Sequence, residues 1–119
     1  MATKPPNVPS PHLKLEVQTT EDATVVRVSG NLTRPDAGTF KDQVKALIPQ
    51  GGRLVLDLSD VIYMDSSGLG GVVSVYVSTK KAGCELKLIN LNKRVRELLG
   101  VTNLLSVFET AGTYFVKMG

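Results

Sequence analysis

The chain has 119 residues, enough for one domain with its own core. Hydrophobic residues make up 42% and charged residues 21%, which excludes a disordered chain, and with no Trp the core has to be built from Val, Leu and Ile. The net charge is +3 with the basic residues scattered and no aromatic residues interleaved, so the footprint of a nucleic-acid binder is absent; nor does any apolar run approach the roughly 20 residues of a membrane span.

Residues 1–12 contain Pro5, Pro6, Pro9 and Pro11 and read as an extended, flexible lead-in to a domain over 13–119. Leu13, Leu15 and Val17 alternate with polar residues, the pattern of a half-buried strand. Thr24–Val28 is a second strand, rich in β-branched residues, closed by Ser29 and Gly30 and near enough to pair as an antiparallel hairpin. Asn31–Pro35 is expected to be a loop. Asp36 opens a helix carrying Phe40, Val44, Leu47 and Ile48, which Pro49 and Gly51-Gly52 stop. Arg53–Leu58 suits a strand buried on both faces.

Ser66–Lys81 carries two conflicting signals. Its valines favour a strand, but Leu69, Val72, Val73, Tyr76 and Lys80 recur at helical spacing, and Lys80, Lys81 and Gly83 make a helix ending. The segment is assigned as helix. Cys84, the only cysteine, cannot form an internal disulfide and reads as a small packing residue; with no secretory pattern at the N-terminus, a reducing, cytoplasmic compartment is expected. Glu85–Leu91 is a strand, Asn92 caps a helix over Lys93–Leu99, and Val107 and Phe108 suggest a short last strand. Thr113–Lys117 is either a short helix or an extended tail. Strands alternating with helices imply an α/β domain whose mixed sheet is mostly parallel, with the helices mainly on one face.

Chemistry is expected at Asp60–Gly71, Asp-Val-Ile-Tyr-Met-Asp-Ser-Ser-Gly-Leu-Gly-Gly, where a buried strand hands over to a helix. Asp65, Ser66 or Ser67 can satisfy the unpaired N–H groups of the first turn, and Gly68, Gly70 and Gly71 let another molecule approach the backbone. No phosphate-binding glycine motif of the P-loop or dinucleotide type is present. The only histidine, His12, lies in the lead-in, so no base stands beside a serine nucleophile. Asp57 and Asp60 read as a strand-end residue and a turn residue. No metal cluster or cofactor motif is present, and no enzyme activity is expected. Arg94 and Arg96, with Lys80 and Lys81, read as a solvated face or as a basic rim for an acidic partner.

The run Val61–Gly70 resembles the signature of STAS domains, the anti-sigma factor antagonists of bacteria. Val28-Ser-Gly-Asn-Leu-Thr33 with Ala37 and Phe40 resembles that family's strand end and first helix, and Leu86–Leu91, Val95, Leu98, Leu99 and Gly100-Val101 through Phe108 its later elements. The likeness covers roughly residues 13–110. It implies a single STAS-like domain and a protein-binding switch. In such a switch the unphosphorylated form would sequester an anti-sigma factor that is also a serine protein kinase, the form phosphorylated on Ser66 would be released, and a PP2C-like phosphatase would reset it. Asp65, Ser67 and Gly68 would support the phosphosite; Asn31, Thr33, Leu69 and Gly70 would bind the partner. Many members carry acidic residues where this chain has Asn31 and Thr33, which bears on which partner it recognises. No cofactor, nucleic acid or membrane is implied. The alternative is a STAS scaffold or sensor module of a signalling assembly or transporter complex, with nucleotide binding at the Gly68–Gly71 turn as one form of it.

Overall fold

Leu54, Leu56 and Leu58 alternate inward along a strand, and in the computed structural model, which describes residues 12–101, that strand lies inside a four-stranded sheet. The elements are β1 (Lys14–Thr19), β2 (Ala23–Leu32), α1 (Arg34–Lys45), β3 (Arg53–Met64), α2 (Ser66–Ala82), β4 (Glu85–Ile89) and α3 (Lys93–Val101). The strand order is β1-β2-β3-β4. β1 runs antiparallel to β2 as a hairpin, with Lys14 opposite Ser29 and Thr19 opposite Thr24. β2, β3 and β4 are mutually parallel, each pair joined through a crossover helix. The sheet is therefore mixed and mostly parallel, as the alternation of elements predicts.

Val26, Val28 and Leu32 of β2, Leu54, Leu56 and Leu58 of β3, and Leu86 and Leu88 of β4 meet Phe40, Val44, Leu69, Val72, Val75, Val95 and Leu99 from the helices in a single hydrophobic cluster. The helices thus cover one face of the sheet. The other face carries Arg27, Val55, Asp57, Glu85 and Lys87, all exposed or half-buried, and Arg53 is paired with Glu85 there at 2.8 Å. Arg53–Leu58 is therefore buried on one face and not on both, because no helix covers the second face.

Element boundaries differ from the sequence reading at several points, among them β4, which stops at Ile89 and not at Leu91, and α3, which runs past Leu99 to Val101. β2 continues past Ser29 and Gly30 to Leu32, so Asn31 is a strand residue opposite Tyr63 and not part of a loop. β3 continues past Leu58 to Met64, which puts Asp57 and Asp60 inside the strand. Both extensions run through residues of low strand propensity because each strand supplies the other's ladder partners. α1 begins at Arg34, with Pro35 in its first turn, and ends at Lys45, where Leu47 and Ile48 close short bonds to the Val44 and Lys45 carbonyls. α2 is helical throughout and ends at Gly83, whose φ of 68° is left-handed; its N–H and that of Cys84 satisfy the Lys80 and Thr79 carbonyls.

The expected strand at Val107–Phe108, the segment Thr113–Lys117, and the lead-in apart from His12 lie outside the described residues. Among the described residues no helix is long and apolar enough to cross a membrane.

Candidate functional site

The candidate site lies at the carboxyl edge of the parallel strands, where β2 passes into α1 and β3 passes into α2. Leu32 and Met64 end the two strands side by side, so the first turns of the two helices start next to each other. A helix start leaves N–H groups unpaired. Here one side chain serves both helices. Asp65 Oδ1 accepts the Gly68 N–H at 2.9 Å, and Asp65 Oδ2 accepts the Arg34 N–H at 3.0 Å. Thr33, at the N-cap of α1, makes no side-chain capping bond, so that role falls to a carboxylate from the neighbouring connection.

Asp65 is therefore the N-cap of α2, and Ser66 and Ser67 are its first two helical residues. Of the three capping candidates in the sequence, the carboxylate is the one used, which leaves the serine hydroxyls uncommitted to capping. Desolvation pushes the Asp65 carboxyl upward, but the N–H groups of Gly68, Arg34 and Ser67 outweigh it and hold the group below its ordinary range. Asp65 is thus ionised near neutral pH.

Ser66 is exposed and Ser67 half-buried. Gly68 is buried against β2, and a Cβ there would overlap the Leu32 carbonyl oxygen, so only glycine lets α2 seat this closely. Leu69 is 5% exposed and belongs to the core. It can shape the surface from beneath but does not itself present a contact. Gly70 is exposed with open space around it, and Asn31 and Thr33 are half-buried along the same edge.

Other candidates separate from this edge. Asp57 and Asp60 do not form a carboxylate pair. Asp57 Oδ1 accepts from the Ser59 N–H at 3.0 Å and from Asn90 Nδ2 at 3.1 Å, while Asp60 pairs with Arg27 at 2.9 Å. Cys84 is buried, and burial raises its thiol pKa, as suits a packing residue. Lys80 stacks over Tyr76 in the last turns of α2, roughly 20 Å along the helix from Ser66 at 1.5 Å per residue, so Lys80 and Lys81 do not share a rim with Arg94.

Two features escaped the sequence reading. One is the second bond of Asp65, which depends on a residue 31 positions away. The other is an exposed apolar doublet, Ile62 and Tyr63, 60% and 47% accessible. A signal for the doublet did exist. Inward residues step by two through Leu54, Leu56 and Leu58, then by three to Val61 and Met64, and a switch from two to three within a strand marks bulges.

A family model described as the STAS domain matches residues 14–114. The anti-sigma-B factor antagonist of Bacillus subtilis (strain 168) is 33% identical over 98 residues, covering 82% of this chain and 90% of that protein. Among solved structures, the anti-sigma factor antagonist SpoIIAA in its unphosphorylated form superposes with a TM-score of 0.66 at 22% identity, over 90% of this chain and 89% of that one. SpoIIAA from Bacillus in the phosphorylated form superposes at 0.63 and 21% identity, over 90% and 92%. The fold also recurs within the murine anion transporter Slc26a9, with a TM-score of 0.69 and 20% identity over 85% of this chain but 17% of the transporter.

Proposed function

The chain belongs to the STAS domain family, and from that premise we propose that it is a cytoplasmic anti-sigma factor antagonist, a non-catalytic protein switched by phosphorylation of Ser66. The relatives named as antagonists match most of its length. In the proposed cycle the unphosphorylated form sequesters an anti-sigma factor with serine kinase activity, phosphorylation on Ser66 releases it, and a PP2C-like phosphatase restores the binding form. Asn31, Thr33 and Gly70 line the contact surface around Ser66, with Leu69 packed beneath it.

The observation that carries this reading is the pairing of an exposed Ser66 with a fully engaged Asp65. Because Asp65 caps both helices, the Ser66 hydroxyl is free to react while the backbone around it is held. A phosphoserine brings about −1.5 to −2 charges at neutral pH. At the start of α2 that charge meets the positive end of the helix and is tolerated by the fold. A partner docked over the hydroxyl has to desolvate the same charge beside the ionised Asp65, so the cost falls on the complex.

The test is calorimetry with the purified anti-sigma factor of the native host, using full-length chain with serine or genetically installed phosphoserine at 66. Phosphorylation is expected to weaken binding at least tenfold, about 1.4 kcal/mol or more. Equal affinity for the two forms would remove the switch.

A further inference from the structure

We propose that Ile62, Tyr63 and Arg94 form a docking ledge for the anti-sigma factor, receiving an apolar side chain flanked by Asp or Glu, and that this ledge supplies affinity independently of the phosphorylation state. The identity of the occupant rests on the function proposed above; the ledge itself rests on the following geometry.

Against β2, the register of β3 shifts between Arg27 and Ser29 and again between Gly30 and Asn31. Each shift adds a residue to β3. Leu58, Val61 and Met64 stay in the core, and Ile62 with Tyr63 is turned outward as a pair. In an unbulged strand the two would point to opposite faces. The bulge is braced by α3. The Asn92 side-chain amide donates to the Val61 carbonyl while its oxygen caps the Val95 N–H at 2.9 Å, tying the start of α3 to the strand. Two residues on, the Arg94 guanidinium lies 5.2 Å from the centre of the Tyr63 ring.

Such an arrangement fits a protein partner. Isoleucine, tyrosine and arginine together offer apolar area, a rigid ring and a forked donor, and Tyr and Arg are among the residues that dominate interface energetics. Arg94 has no carboxylate partner among the described residues, and a guanidinium stacked on a ring keeps its edge donors available for one. Lys93 and Arg96 are exposed nearby, with Glu97 the acidic residue on the same helix. Of the carboxylates flanking the doublet, Asp60 is paired with Arg27 and Asp65 is taken up by the Arg34 and Gly68 N–H groups. The local charge therefore selects an acidic rim. Only Met64 and Asp65 separate the doublet from Ser66, so a partner covering the hydroxyl also reaches the ledge.

The experiment begins with a photo-crosslinking phenylalanine derivative replacing Ile62 in the full chain, irradiated in the native host, with the linked residues mapped by mass spectrometry. Linkage to an acid-flanked apolar segment of the anti-sigma factor is expected; linkage to residues 102–119 of this chain or to a second copy overturns the ledge. Calorimetry with the purified anti-sigma factor follows. Ile62→Ser and Arg94→Glu are each expected to weaken binding about tenfold at unchanged melting temperature. The factor lost on phosphorylating Ser66 should stay the same in both variants, and changing the linked acidic residue to Arg should restore binding to Arg94→Glu. If the variants bind like wild type while phosphoserine still releases the partner, the ledge is wrong and the switch stands. If they lose affinity while phosphoserine has no effect, the ledge stands and the switch does not.

Discussion

At the scale of single residues, Asp65 carries the most structural weight at the candidate site. Each of its two oxygens holds a different helix, through Gly68 and Arg34. Asn is also a good N-cap, but it has one acceptor oxygen where the carboxylate has two. Asp65→Asn should therefore keep one cap and lose the other, at about 1 kcal/mol, or about 4 °C in melting temperature for a domain this size. The pH dependence has a definite sign. The folded carboxyl is held below its ordinary value, so its stabilising contribution is complete above about pH 4, the unfolded range, and fades as pH falls toward the folded value. Asp57 and Glu85 are also lowered, so wild type and Asp65→Asn both weaken in acid. Only the gap between them reports on Asp65. Thermal melts from pH 7 to pH 3 should show that gap closing below about pH 4; a gap that stayed constant would remove Asp65 as the shared cap.

At the scale of elements, the junction of β3 with α3 is held by one amide. Asn92 binds a strand carbonyl with its nitrogen and caps a helix with its oxygen. Removing it leaves a half-buried carbonyl and a helix N–H without side-chain partners, at about 1–2 kcal/mol together. Asn92→Ala is thus expected to lower the melting temperature and to speed hydrogen exchange at the Val95 amide, with little change in α1. Unaltered exchange at Val95 would show that the cap has no energetic weight. The α1–α2 contact works differently, through closeness of packing. Gly68 sits against Leu32, and a Cβ at Gly71 would come within 3.2 Å of the Phe40 ring, so the small residues of α2 set how near the two helices and the sheet can come.

At the scale of the whole molecule, one edge of the sheet collects the starts of α1, α2 and α3, because each follows a parallel strand. The opposite edge holds a hollow lined by residues 19–24 and 49–52, distant from Ser66. The open face carries exposed pairs such as Arg27–Asp60 and Arg53–Glu85, which contribute little to stability. Charge added at Ser66 should therefore act locally. Phosphoserine at 66 is expected to shift amide resonances near residues 31–34 and 61–70 while leaving the rest of the spectrum in place, and to raise the melting temperature by no more than about 4 °C. Widespread shifts would mean that phosphorylation acts by remodelling the fold.

What the order of amino acids determined was whatever depends on neighbours along the chain. The existence of a strand at Arg53–Leu58, the helical spacing in Ser66–Lys81 despite its valines, the Asn92 cap and the Gly83 stop were all readable, and so was the Asp-Ser-Ser-Gly run as a strand-to-helix junction. Only the tertiary structure decided the rest, because it depends on groups brought together from far apart. The ends of β2 and β3 are set by the ladder they share and not by the propensity of Ser29, Gly30 or Asn31. Asp65 became the cap of α1 only once Leu32 and Met64 lay side by side. Ile62 and Tyr63 face outward because the ladder takes up two extra residues and Asn92 braces them there.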